Sequence, residues 1–151
     1  MRRRSSTCLR PGDALLLAPE ISVIASVTQL NLHYNSLKDE GVTAICKAVQ
    51  SNKETKLASL IISANEVGPV GAKAVAAMAA VVASLTSLDL YGNQIGTEGA
   101  KALAPGLAAN GSSMTRLDVR YNVRRARQRC VKRLRDALGL SYCCEHERNA
   151  M

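Results

Sequence analysis

The chain has 151 residues, 47% of them hydrophobic, yet it lacks Phe and Trp and holds only four Tyr. That composition gives one domain with a sizeable aliphatic core and argues against the aromatic stacking platforms of single-strand nucleic-acid modules. The net charge is +8, but residues 1–10 carry +4, 11–115 carry −2, 116–135 carry +8 and 136–151 carry −2, so a near-neutral body lies between basic stretches.

The start, MRRRSSTCLRPGDALLLAPEIS, joins a basic head to a short apolar piece. Pro11, Asp13 and Pro19 interrupt the apolar part, which weakens a targeting-peptide interpretation. Residues 1–26 are expected to form a flexible basic N-terminus and then an irregular cap, with Ile21, Val23 and Ile24 covering the open end of the adjoining layer.

A repeating phrase begins at Val27. Val27, Leu30, Leu32, Asn35 and Leu37 follow the spacing L-x-x-L-x-L-x-x-N-x-L. Leu57, Leu60, Ile62, Asn65 and Val67 repeat it, as do Leu85, Leu88, Leu90, Asn93 and Ile95. A fourth unit starts with Met114, Leu117, Val119 and Asn122, then departs from the pattern at Arg124. The central leucines Leu30, Leu60, Leu88 and Leu117 are 30, 28 and 29 residues apart, long enough for a short strand and a returning helix.

Each strand predicts a side-chain plan. Alternation turns Leu30 and Leu32, and their counterparts, inward and their neighbours outward. Asn35, Asn65, Asn93 and Asn122 stand at the corner after each strand, where an amide both donates to and accepts from buried backbone groups. Gly41, Gly68, Gly71, Gly96 and Gly99 come after the corner, where a tight loop enters the helix. Asp39 and Glu40 place negative charge at the positive end of their own helix. The helices carry apolar stripes: Val42, Ile45, Cys46 and Val49; Val70, Ala74, Val75, Met78 and Val81; Ala100, Leu103, Ala104 and Leu107.

These phrases resemble the ribonuclease-inhibitor-like class of leucine-rich repeats, also found in innate-immune receptor repeat domains and Ran GTPase-activating proteins. The resemblance covers residues 27–122 and implies an α/β solenoid, a horseshoe arc with a short parallel sheet on its concave side and helices on its convex side. Such a scaffold is chiefly a binding module. Three full repeats and one irregular one approach the lower limit for stability. A longer array or self-association through an open solenoid end is therefore also expected.

Residues 123–140 read as a basic amphipathic capping helix, with Val123, Cys130, Val131, Leu134 and Leu138 on its apolar side. Residues 141–151 read as a disordered tail. Cys8, Cys46, Cys130, Cys143 and Cys144 are odd in number and irregularly spaced, which fits a reducing, cytoplasmic setting. Cys143-Cys144 with His146 lacks C-x-x-C spacing, so no metal, and no cofactor, is expected. Nothing pairs Cys46 or Cys130 with a base, and the Gly68–Gly71 loop lacks the phosphate-binding pattern. No enzyme activity is expected.

The outward strand residues form three columns: Gln29, Ser59, Ser87, Arg116; Asn31, Ile61, Asp89, Asp118; and His33, Ser63, Tyr91, Arg120. Tyr34 and Tyr121 lie near the rim. Asn31, His33, Asp89, Tyr91, Arg116, Asp118 and Arg120 are the expected contacts to a protein partner, being types that anchor interfaces. The first alternative is a nucleic acid or an anionic membrane held by residues 116–135. The second is a regulator of a signalling protein, such as a GTPase activator; one that works through an arginine finger needs an arginine on the contacting face, and repeats one to three contain none, which leaves only a finger-independent mode for those repeats.

Overall fold

The computed structural model describes residues 8–109 and 114–122. Strands β1 (Gln29–Asn31), β2 (Ser59–Ile61), β3 (Ser87–Asp89) and β4 (Arg116–Asp118) form one parallel sheet in the order β1-β2-β3-β4. Helices α1 (Pro11–Val23), α2 (Lys38–Ser51), α3 (Pro69–Val81) and α4 (Gly96–Ala109) alternate with them, each packed on the next. This is the expected leucine-rich-repeat solenoid. The basic helix and tail expected over 123–151 lie outside the described residues.

The register aligns Leu30, Leu60, Leu88 and Leu117 in one inward column. Leu60, Leu88 and Leu117 are buried, whereas Leu30, on the edge strand, is only partly covered. Val42, Ile45, Cys46 and Val49 of α2 and Leu103 and Leu107 of α4 meet them from the helix side. Val70 and Val81 depart from the expected stripe and are exposed. Their helix is so rich in Ala and Val that helical spacing alone does not select a buried side.

The corner asparagines stitch neighbouring coils. The Asn93 Oδ1 accepts from the Asn65 N–H at 2.9 Å and the Val67 N–H at 3.0 Å, in the preceding coil. Its Nδ2 donates to the Ile62 carbonyl at 3.0 Å and to the Leu90 carbonyl at 2.9 Å. Asn65 reaches the Leu37 N–H and the Leu32 carbonyl, and Asn122 the Ile95 N–H and the Leu90 carbonyl. Asn35, at the first corner, accepts from the Leu9 N–H at 2.8 Å.

Residues 14–23 are helical rather than irregular, and residues 11–13 already belong to the same helix. Pro11 opens α1, the Asp13 Oδ2 accepts from the Arg10 N–H at 2.8 Å, and Ala14 is fully buried. Gly41 admits that packing: a Cβ there would stand 3.2 Å from the Ala14 Cβ and 3.3 Å from the Pro11 Cα. Ile21 packs on the core, but Val23 and Ile24 are exposed and do not cover it.

Two further sequence expectations change. The Asp39 Oδ1 accepts from the Gly68 N–H at 2.6 Å and the Gly71 N–H at 2.9 Å, so it caps the next helix, α3, rather than serving only its own. Gly41, Gly71 and Gly99 are not loop residues; they lie within α2, α3 and α4 and let consecutive helices approach.

Helix contact and corner amide each set a measurable stability. A Cβ at Gly106 would meet the Ala76 backbone, with its carbonyl carbon 2.7 Å away. Gly106→Ala is expected to lose about 1–3 kcal/mol in denaturant unfolding, whereas Gly12→Ala, which meets nothing within 4 Å, is expected to be neutral or gain up to ~1 kcal/mol. Asn93→Ala, which leaves buried groups of two coils unpaired, is expected to lose about 2–4 kcal/mol. Asn35→Ala, half-buried at the edge, should lose about 1 kcal/mol by the same measurement; equal losses would contradict the stitching role.

Candidate functional site

Short parallel strands fix where the concave side chains stand. The register pairs Gln29 with Ser59, Ser59 with Ser87 and Ser87 with Arg116. It likewise aligns Asn31, Ile61, Asp89 and Asp118. Arg116 and Asn31 are exposed, and Asp89 and Asp118 are half-buried.

The second column has a structural job as well. The Asn31 Oδ1 accepts from the His33 N–H at 3.0 Å, the Asp89 Oδ1 from the Tyr91 N–H at 2.9 Å, and the Asp118 Oδ1 from the Arg120 N–H at 3.1 Å. Each is an Asx-type turn that closes the strand end. Ile61 cannot do this, so the second coil lacks it.

The remaining residues divide into two groups. Over β1 and β2, the His33 and Tyr34 rings meet edge-on at 4.3 Å, and the His33 Nδ1 lies 2.6 Å from the Ser63 Oγ. A serine beside an imidazole has the look of an activated nucleophile. Ser63 is only 2% exposed, however, so its hydroxyl is a structural partner rather than a reactive group.

Over β3 and β4, Arg120 grips Asp118 with both edges: Nε lies 3.0 Å from Oδ1, and Nη2 lies 2.6 Å from Oδ2. The same guanidinium stands 5.4 Å from the Tyr91 ring centroid. Tyr121 packs edge-on against Tyr91 at 5.1 Å. Tyr121 and Tyr34 remain 67% and 71% exposed. The sequence put Tyr121 merely near the rim. Its signal was the residue type one place beyond the third column, in the coil next to Tyr91.

Among the described residues, two ionisable groups are displaced. Burial pushes the Cys46 thiol up to about 12, which makes it a core plug and removes it as a nucleophile. Burial also pushes the Asp118 carboxyl up. The Arg120 side-chain and backbone hydrogen bonds, with the charges of Arg120 and Arg116, outweigh this and hold it below the ordinary carboxylate value.

A carboxyl lowered in this way adds stability above its ordinary value and loses it as pH falls through the lowered one. In Arg120→Ala, burial, the backbone N–H bond and the Arg116 charge remain while the guanidinium's hydrogen bonds and charge go, so the Asp118 carboxyl should titrate at higher pH. Carbon NMR of the Asp118 side chain checks this, and an unchanged titration would contradict the pairing.

Residues 24–46, 53–76 and 83–104 each match the family model described as a leucine-rich repeat. No curated protein matches the chain. Among solved structures, the fold is similar to leiomodin-1 actin-binding site 2, at 20% identity and a TM-score of 0.66, covering 83% of this chain and 70% of that one. It is also similar to the tropomodulin C-terminal domain of Caenorhabditis elegans, at 11% identity and a TM-score of 0.59, covering 85% and 91%. With the aligned leucine column and the asparagine corners, these matches identify the chain as a leucine-rich-repeat protein.

Proposed function

We propose that the concave face is a protein-binding surface centred on Tyr91, Tyr121 and the Arg120–Asp118 pair. The observation that carries this is the concentration of ring groups. The chain has four tyrosines, and Tyr34, Tyr91 and Tyr121 all stand at the same end of the sheet. Tyrosine and arginine are enriched among the residues that carry interface energy, tyrosine because it presents a large contact area with few rotors to freeze. Arg120 is already held by Asp118 and stacked on Tyr91, so little freedom remains to lose on binding. The fold's similarity to a structure named for actin binding agrees with a protein ligand.

The decisive experiment is capture and identification of the partner, then calorimetry with purified components. Tyr91→Ala and Tyr121→Ala should each weaken binding about tenfold or more, while Gln29→Ala, at the far edge strand, should change it less than about twofold. Binding should change little with salt; a steep loss would favour a nucleic acid or anionic surface on residues 116–135.

A further inference from the structure

The first coil leaves part of its core open. Val27 and Leu30, with Leu17 and Ile21 of α1, are half-buried. Leu57, Leu60, Ile45 and Val49, at the same places one coil on, are buried. The opening lies beside β1, which stands at the end of the strand order. In β2 the Ser59 N–H donates to the Thr28 carbonyl and the Ile61 carbonyl accepts from the Leu32 N–H. The same groups of β1, the Gln29 N–H and the Asn31 carbonyl, therefore point away from β2, and among the described residues no strand meets them. Asn35 has the matching gap. Asn65, Asn93 and Asn122 each donate to a carbonyl of the coil before, on Leu32, Ile62 and Leu90. Among the described residues the Asn35 Nδ2 donates only within its own coil, to the Leu32 and His33 carbonyls.

The surroundings narrow what fits. Helix α1 packs on α2 as α2 packs on α3, so the helix layer over this place is already filled. A further coil, or β1 of a second copy, would bring its own helix into α1. Nor does α1 accept a helix beyond it, since the exposed Asp13 stands where Gly41, Gly71 and Gly99 admit the preceding helix. What remains is room for one strand without a helix. Such a strand would turn aliphatic side chains at alternate positions toward Leu30 and the core, and its backbone toward Gln29, Asn31 and Asn35. Residues 28–33, TQLNLH, hold no Lys, acid or Pro, the residues that keep strands off an edge. Residues 1–7, MRRRSST, have one apolar side chain and do not supply the alternation.

We propose that the open edge of β1 beneath α1 is a docking site for an extended segment of a partner protein, aliphatic at alternate positions, which completes the first coil by adding a strand. The site is separate from Tyr91 and Tyr121 and does not depend on the concave-face reading.

The probe is a synthetic peptide copying residues 114–122, MTRLDVRYN, a strand phrase of this chain whose Leu117 and Val119 are buried in the core. The full-length protein is titrated with it and followed by NMR amide hydrogen exchange. The Gln29 and Asn31 amides should exchange freely alone and slow when the peptide is added. A peptide carrying Leu117→Ser and Val119→Ser should bind about tenfold more weakly or worse. Gln29→Pro removes an N–H that β2 does not use, so the protein should keep its melting temperature and lose the peptide; Tyr91→Ala should still bind it. Absence of peptide binding, or equal binding of the serine peptide, overturns the proposal whether or not Gln29→Pro folds. So does slowing at Tyr91 and Tyr121 in place of Gln29 and Asn31. Protection of those two amides without peptide also overturns it: at every protein concentration it makes residues 1–7 the occupant, and at high concentration alone a second copy.

Discussion

The amide ladder at the corners is the constraint on which the solenoid depends. Each strand has only three residues, so the sheet by itself supplies few hydrogen bonds. The chain must then turn sharply while its peptide groups are buried, and an unpaired buried N–H or carbonyl costs about 1–3 kcal/mol. One asparagine answers this at every corner because its amide is both donor and acceptor. Asn93 satisfies groups of two coils at once, which couples their folding. Aspartate would lose the donor side and leucine both.

The same ladder explains the N-terminal segment. The Leu9 N–H donates to Asn35 as the Val67 N–H does to Asn93. The Leu9 carbonyl accepts from the Ser36 N–H as the Val67 carbonyl does from the Gln94 N–H. Pro11 opens α1 as Pro69 opens α3, and Ala14 faces Gly41 as Ala72 faces Gly99. Residues 9–26 are thus the helical half of a repeat. LRPGDA at 9–14 aligns with VGPVGA at 67–72, sharing the Pro and the Ala and placing Leu9 where Val67 stands.

That half-repeat was hidden because its leucine phrase is missing: the sequence ahead of Leu9 offers arginines where spaced aliphatics stand elsewhere. The rest of the fold was legible, since leucine spacing fixes strand phase and phase fixes the register of Leu60, Leu88 and Leu117. Alternation likewise gave the concave columns. What alternation cannot give is rotamer and range. The stacking of Arg120 on Tyr91 and the reach of Asp39 to the next helix depend on side-chain torsions and on the pitch between coils. The hydrogen bonds of Asn31, Asp89 and Asp118 to N–H groups two residues on were visible in principle, because Asn and Asp favour that local turn.

The corner also limits what a coil can display. Tyr34, Ala64, Gly92 and Tyr121 share the place after the third column, with φ of 53°, 53°, 64° and 57°. Glycine takes that left-handed conformation freely, as at Gly92, while a side chain there costs about 1–2 kcal/mol. The inner coils hold the small residues, and the outer coils carry tyrosine at the same strained place. Both rings are largely exposed, each packed edge-on against one neighbouring ring, His33 or Tyr91. The tyrosines thus stand on the outer coils and the small residues Ala64 and Gly92 on the coils between, at a place set by the backbone corner that the asparagines secure.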